Sequence, residues 1–211
     1  MIAPTIALAL MLAAPKADSD WKPLFDGKTT DGWEHVGPGK FTVEDGALKA
    51  EGGMGLLWFT KETFGDCTIR VVYKVTSPQS NGGVFIRIAD KPKDPWFGVH
   101  HGFEVQVLGG EGPDAFHRTG AVYSLSPAKK AEAPVGQWNT MEITLRGEKV
   151  LVSVDGTPVT DFDPTGPVPE RKKDYEPERG PRPTKGYIGV QNHHGGAGTE
   201  VYYKDVSVKP L

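Results

Sequence analysis

Three stretches of alternating apolar residues carry, between those apolar positions, side chains that can hold a hydroxyl-rich ligand or move a proton. In residues 83–88, Val84, Ile86 and Ile88 form one set, which leaves Phe85 and Arg87 opposite them. In residues 102–107, Phe103, Val105 and Val107 leave Glu104 and Gln106 opposite. In residues 187–193, Ile188 and Val190 leave Gly189, Gln191 and His193. An ordinary solvated strand face looks like residues 141–146, with Glu142, Thr144 and Arg146. Guanidinium, carboxylate, amide and imidazole groups beside an aromatic ring supply directional hydrogen bonds, which suits a ligand rich in hydroxyls, and the histidines add a candidate acid–base or metal-binding role. Flanking segments add to this set. Asn81 precedes Gly82-Gly83, a pair that lets backbone approach a ligand, and His117 leads through residues 118–122 to Tyr123. Of the chain's 6 histidines, His100, His101, His117, His193 and His194 flank these segments.

The elements that must position these groups are strands. Turn signals such as Asp26-Gly27, Asp45-Gly46, Asn81-Gly82 and Asp155-Gly156 recur about every ten residues. Between them lie period-2 segments. In residues 67–75 the odd-numbered positions are all apolar, residues 141–146 alternate as cleanly, and residues 150–154 run into the hairpin pair Asp155-Gly156. Residues 200–208 read as a further strand or strand pair, and residues 117–123 as the approach to another. No window of a dozen residues has a 3.6 period. The spacing predicts an all-β antiparallel β-sandwich of jelly-roll type. One segment breaks the rhythm: residues 164–185 are rich in proline and in charges of both signs. They read either as a lid over a binding face or as a solvated excursion.

Composition bounds the rest. With 211 residues, one domain over residues 21–211 accounts for the chain. Its 27 glycines and 18 prolines make up roughly a fifth of the residues, high for a globular chain but below the level typical of low-complexity disorder. A formal charge of −3 gives no support to a nucleic-acid partner, which would want a basic stripe. The single cysteine, Cys67, rules out an internal disulfide and a cysteine-based zinc site, and reads as a small buried apolar group. Residues 1–17 contain the apolar run 6–14, too short to span a bilayer and followed by polar residues. This is read as an export signal, so the mature protein is expected in the periplasm or secreted, with no stable membrane insertion.

The order of motifs then resembles a known family. Residues 23–28 (Pro-Leu-Phe-Asp-Gly-Lys) with Asp31-Gly32-Trp33 open it. Residues 43–46, 64–66, 81–87, 102–107, 119–123, 136–139 and 189–193 follow in the same order as in the 3-keto-disaccharide hydrolases. The resemblance covers residues 21–211 and implies a concanavalin-like or laminarinase-like jelly roll with a concave ligand face. It also implies cleavage of glycosides whose sugar carries a ketone at carbon 3. The ketone acidifies the carbon-2 hydrogen, so a base can remove it while the glycosidic oxygen leaves carbon 1, and water then adds to the unsaturated sugar. In that reading Glu104 or His193 is the base and Arg87 stabilises the enolate. Asn81, Gln106 and Gln191 hold hydroxyls, Phe85 packs on the sugar, and Tyr123 or His101 protonates the leaving oxygen. No protein metal motif is legible, so no metal ligand and no certain cofactor is expected, although a divalent ion bridging the two sugar oxygens could replace Arg87. The expected partner is a carbohydrate. Two other readings stand beside this one. A carbohydrate-binding module would use the same face without cutting. A laminarinase-like retaining hydrolase needs two carboxylates about 5–5.5 Å apart, but Gln106 occupies the alternate position after Glu104.

Overall fold

The computed structural model describes residues 20–193 and 196–211, so the export signal read over residues 1–17 and His194 lie outside the described residues. In chain order the elements are β1 (Lys22–Pro23), β2 (Trp33–Val36), β3 (Lys40–Glu44), β4 (Ala47–Glu51), β5 (Gly55–Phe59), β6 (Cys67–Val75) and β7 (Asn81–Ile88). A short helix α1 (Trp96–His101) follows. Then come β8 (Phe103–Leu108), β9 (Asn139–Arg146), β10 (Lys149–Val154), β11 (Thr157–Phe162), β12 (Tyr187–Asn192) and β13 (Val201–Pro210). They form two antiparallel sheets. One runs β11-β10-β9-β6-β13-β4-β3, with β1 paired to β13, and the other runs β2-β5-β12-β7-β8. The expected all-β sandwich is therefore what the chain forms.

The period-2 pattern is the reason these sheets pack. Along β6 burial alternates at every residue, placing Cys67, Ile69, Val71, Tyr73 and Val75 in the core. Burial lifts the Cys67 thiol to about 11, as an inert apolar residue requires. From the smaller sheet, Val84, Ile86, Phe103, Val105, Val107, Ile188 and Val190 meet that layer. Both Asp45 (φ 49°) with Gly46 and Asp155 (φ 46°) with Gly156 close tight hairpins in the left-handed conformation that such two-residue turns demand. Residues 201–210 form one long strand rather than a pair.

Two features depart from simple alternation. The first is a bulge in β7, where Tyr187 pairs with Ile88 but Gly189 pairs with Phe85, so β7 spends one more residue than β12. Arg87 sits at that bulge with φ 52°, and the parity of everything after Ile86 is reversed. Ile88 accordingly packs with Phe85 on the opposite face from Ile86. Arg87, 1% exposed, turns toward the β9–β10 hairpin and donates to the carbonyls of Gly147 and Glu148, the latter at 3.1 Å. The second is the segment after residue 117, which makes isolated bridges (Val105 with Val122, Val122 with Ser126) instead of the expected strand. Gly120 (φ 86°) and Ser124 (φ 59°) leave the extended region and cut it short.

Arg87 thus ties the two sheets together at one end of the sandwich. Arg87→Met, which leaves the hairpin carbonyls without their donor, is expected to lower unfolding free energy by about 1–3 kcal/mol. The folded fraction should keep its catalytic constants. Urea titration beside a kinetic assay checks this, and lost turnover at unchanged stability would return Arg87 to the site.

Candidate active site

Residues of alternate parity on the smaller sheet, which point away from the core, build the site. Its rows follow from register. Gly83 pairs with Gln106 on one side and Gln191 on the other, while Phe85 pairs with Glu104 and Gly189. Helix α1 covers half of this face. Gly98 sits over Phe85, where an added Cβ would lie 3.1 Å from the ring, and Leu56, Trp58, Phe85, Ile88 and Val99 form a second apolar cluster beneath the helix. The uncovered half is a cavity of about 660 Å³. Its lining consists of Met54, Asn81, Trp96, Val99, Glu104, Gln106, Leu108, Pro113, His117, Tyr123, Tyr175 and His193.

Glu104 lies on the cavity floor, 6% exposed. Its carboxyl has one weak hydrogen bond, from Gln191 Nε2 at 3.4 Å, and no ion pair to it is found among the described residues. Burial without a compensating charge pushes its pKa from 4.5 up to about 8, the Gln191 bond opposing the shift only slightly. The room for the carboxyl comes from Gly83. A Cβ there would fall 2.8 Å from both Glu104 Cγ and Oε1, so glycine is needed for close approach rather than for a turn. Gln106 Nε2 donates to Asn81 Oδ1 at 2.7 Å, which fixes two amides side by side. His193 follows β12, its backbone N–H bonded to Asn81 O at 3.1 Å and its ring edge-on to Trp96.

The interrupted segment beyond β8 still runs along that strand. Gln106 N–H bonds Ala121 O and Tyr123 N–H bonds Glu104 O, each at 2.9 Å, and this brings Tyr123 beside Glu104. Burial, and secondarily the Glu104 charge, hold the Tyr123 phenol well above its ordinary value, so it keeps its proton. His117 packs edge-on against Tyr123 at 5.3 Å, while its Nδ1 lies 2.7 Å from Asp114 Oδ1, an arrangement that orients the ring.

Of the residues expected from the sequence, Glu104, Gln106, Asn81, Tyr123 and His193 line one cavity, with Gln191 behind Glu104. Three do not join them. The bulge takes Arg87 to the other sheet, and helix α1 seals Phe85, which is 0% exposed. His101 is outside the lining, its ring tilted against Phe97 with centroids 4.5 Å apart. Met54, Trp96, Val99, Leu108, Pro113 and Tyr175 also line the cavity without having been singled out as site residues, and His117 had been noted only as a flanking histidine. They reach it from loops, a helix and a strand end, where no period marks them. No group of three or more His, Cys, Asp or Glu side chains placed to hold a metal ion occurs among the described residues.

A two-sheet jelly roll with a buried carboxyl on its open face defines a class, and the comparisons name it. The model of the 3-keto-alpha-glucoside-1,2-lyase-like domain matches residues 20–209, and the chain belongs to that family. A curated 3-keto-disaccharide hydrolase of Bacteroides thetaiotaomicron is 26% identical, over 89% of this chain and 77% of that protein. Among solved structures, a Parabacteroides distasonis protein provisionally described as a glycosyl hydrolase matches with a TM-score of 0.72 at 23% identity. The match covers 90% of this chain and 99% of that one. The carbohydrate-binding module CBM66 of Bacillus subtilis matches with a TM-score of 0.57 at 13% identity, covering 84% and 95%. At these identities the solved structures establish the fold alone.

The Glu104 shift has a measurable sign. The folded protein keeps this proton up to about pH 8, whereas the unfolded chain releases it near 4.5. Stability is therefore expected to fall as pH rises between those values, by at most about 1.4 kcal/mol per unit, and to level above them. Glu104→Gln removes that slope. Urea unfolding at pH 5, 6.5 and 8 checks it, and equal slopes in both proteins would mean a carboxyl already ionised in the fold.

Proposed function

We propose that the chain is an exported, carbohydrate-active enzyme that cleaves glycosides oxidised to a ketone at carbon 3. The observation that carries this reading is Glu104, a carboxyl held near pKa 8 on the floor of a cavity that also holds a protonated phenol and two amides, with a third amide, Gln191, bonded to the carboxyl from behind. Family membership and the name of the Bacteroides relative support the substrate class.

Glu104, once ionised, takes the carbon-2 hydrogen as a proton, and the C–H electron pair passes into an enolate whose oxygen is the former ketone. Asn81 accepts from Gln106 through Oδ1, which leaves its amide nitrogen to donate to that oxygen in place of the expected Arg87. The enolate then reforms the ketone as the carbon 1 to oxygen bond breaks, and Tyr123 gives its proton to the departing oxygen. Water then adds its hydroxyl to carbon 1 and gives its proton to the Tyr123 phenolate, while Glu104 returns the proton it took to carbon 2, so both side chains are restored and the net change is hydrolysis. His193 and Gln106 hold hydroxyls, while Gln191, buried behind the carboxyl, keeps Glu104 in place.

The alternatives use this site less well. A module that merely binds sugar has no use for a carboxyl whose burial destabilises the fold at neutral pH. A retaining hydrolase needs a second carboxylate, yet Glu104 is the one carboxyl lining the cavity among the described residues. Glu111 is instead exposed and ion-paired with Lys130.

Purified protein incubated with 3-keto-maltose and with maltose is expected to cleave the first alone. Deuterium at carbon 2 should slow the reaction, and kcat/KM should rise with pH through a midpoint near 8 as Glu104 ionises, levelling only above it. Glu104→Gln is expected to lower kcat by about 10²–10⁴-fold. Near-normal turnover in that variant would remove Glu104 from the chemistry.

A further inference from the structure

The rim of the cavity differs in character from its floor. The groups able to bond sugar hydroxyls, Asn81, Glu104, Gln106 and His193, come from the sheet. Toward the mouth the side chains are Trp96 from helix α1, Leu108 at the end of the edge strand β8, Pro113 beyond it, and Tyr175. Trp96 and Tyr175, at 39% and 53% exposed, are two of the six large apolar side chains most open to solvent among the described residues. Apolar groups of that size left open at a cavity mouth mark a contact surface.

Tyr175 is placed there by a constructed strap. Residues 164–185 are docked on the body of the protein by two arginines. Arg182 donates from Nε to Gly102 O at 2.9 Å and from Nη2 to Glu178 O at 2.8 Å. Arg179 donates to Pro169 O at 2.8 Å, to Glu176 Oε2 at 3.1 Å and to Ser124 O at 3.4 Å. Its bond to Ser124 reaches the residue after Tyr123, itself in a left-handed conformation (φ 59°). One guanidinium thus anchors both the strap that carries Tyr175 and the turn that carries the proton donor.

We infer that the strap and helix α1 form a leaving-group subsite between Trp96 and Tyr175 that selects flat, apolar aglycones over a second sugar. The inference rests on the reading of the site as one that cleaves 3-keto-glycosides. A second sugar stacks its C–H face on one ring, but its remaining hydroxyls then meet Leu108 and Pro113, which offer no polar side-chain atom, and an unpaired buried hydroxyl is costly. An aromatic or alicyclic aglycone buries apolar surface against the same residues and stacks between the rings. Arg179 is a positioning residue in this scheme.

The test uses the full chain with three 3-keto-α-glucosides: methyl, benzyl, and the maltose form oxidised on its non-reducing unit. Benzyl alcohol leaves about as readily as a sugar alcohol, so a preference reports binding rather than leaving-group chemistry. The benzyl compound is expected to show the highest kcat/KM, mainly through a lower KM. In Tyr175→Ala the benzyl-to-methyl ratio of kcat/KM is expected to fall roughly tenfold. Arg179→Gln should shift the same ratio in the same direction, again through KM. A wild-type preference for the maltose form, or equal losses on all three substrates in Tyr175→Ala, would overturn the subsite while leaving the cleavage reading intact. Failure to cleave any of the three would overturn both.

Discussion

A carboxyl group without a cationic partner has been buried on the outer face of the smaller sheet, at the floor of a cavity, and much of the site's geometry exists to make that tolerable. Glu104 has no cation beside it among the described residues and a single long bond from Gln191. It stays in place because its proton is retained, because Gly83 leaves a recess for it, and because β7 and β12 support it from the side. The cost rises with pH, and a cavity opens directly above. A group kept uncomfortable in this way is poised to take up or release a proton near neutrality.

The sandwich supplies the rigidity. A long core strand such as β6 fixes one sheet, while the smaller sheet lays its inner face on it and offers its outer face to solvent. Tyr203 from the larger sheet reaches through the core to donate to Gln191 O at 2.6 Å. The floor of the cavity is therefore coupled to both layers and not merely draped over one. Gly82 permits that approach, since a Cβ there would meet the Tyr203 hydroxyl at 2.6 Å. Positions held this firmly can orient a base and a proton donor without reorganisation at the moment of reaction.

Helix α1 and the strap finish what the sheet begins. The helix seals the half of the outer face that carries Phe85 and Trp58, which confines ligand to the other half. The strap, anchored at Gly102 and Ser124, brings Tyr175 to the mouth. Neither element obeys a simple sequence period. The helix has six residues, and the strap is held by arginine-to-carbonyl bonds with no regular ladder.

Period-2 patterning was enough to read the two-layer fold, and with it the shared face of Glu104, Gln106 and Gln191, because side-chain direction in an unbroken strand follows parity alone. The same rule misplaced Arg87. One extra residue in β7 reverses parity, and nothing in the local run of residues 83–88 announces it; the bulge arises from how Tyr187 and Gly189 pair across the sheet. Phe85 was assigned to the correct face but covered by a helix too short to leave a pattern. Whether His101, His117 or His193 reaches the cavity depended on where loops dock. Strand facing is a local property of the chain, whereas bulges, covers and loop positions are settled by contacts between residues far apart in sequence, which only the tertiary structure decides.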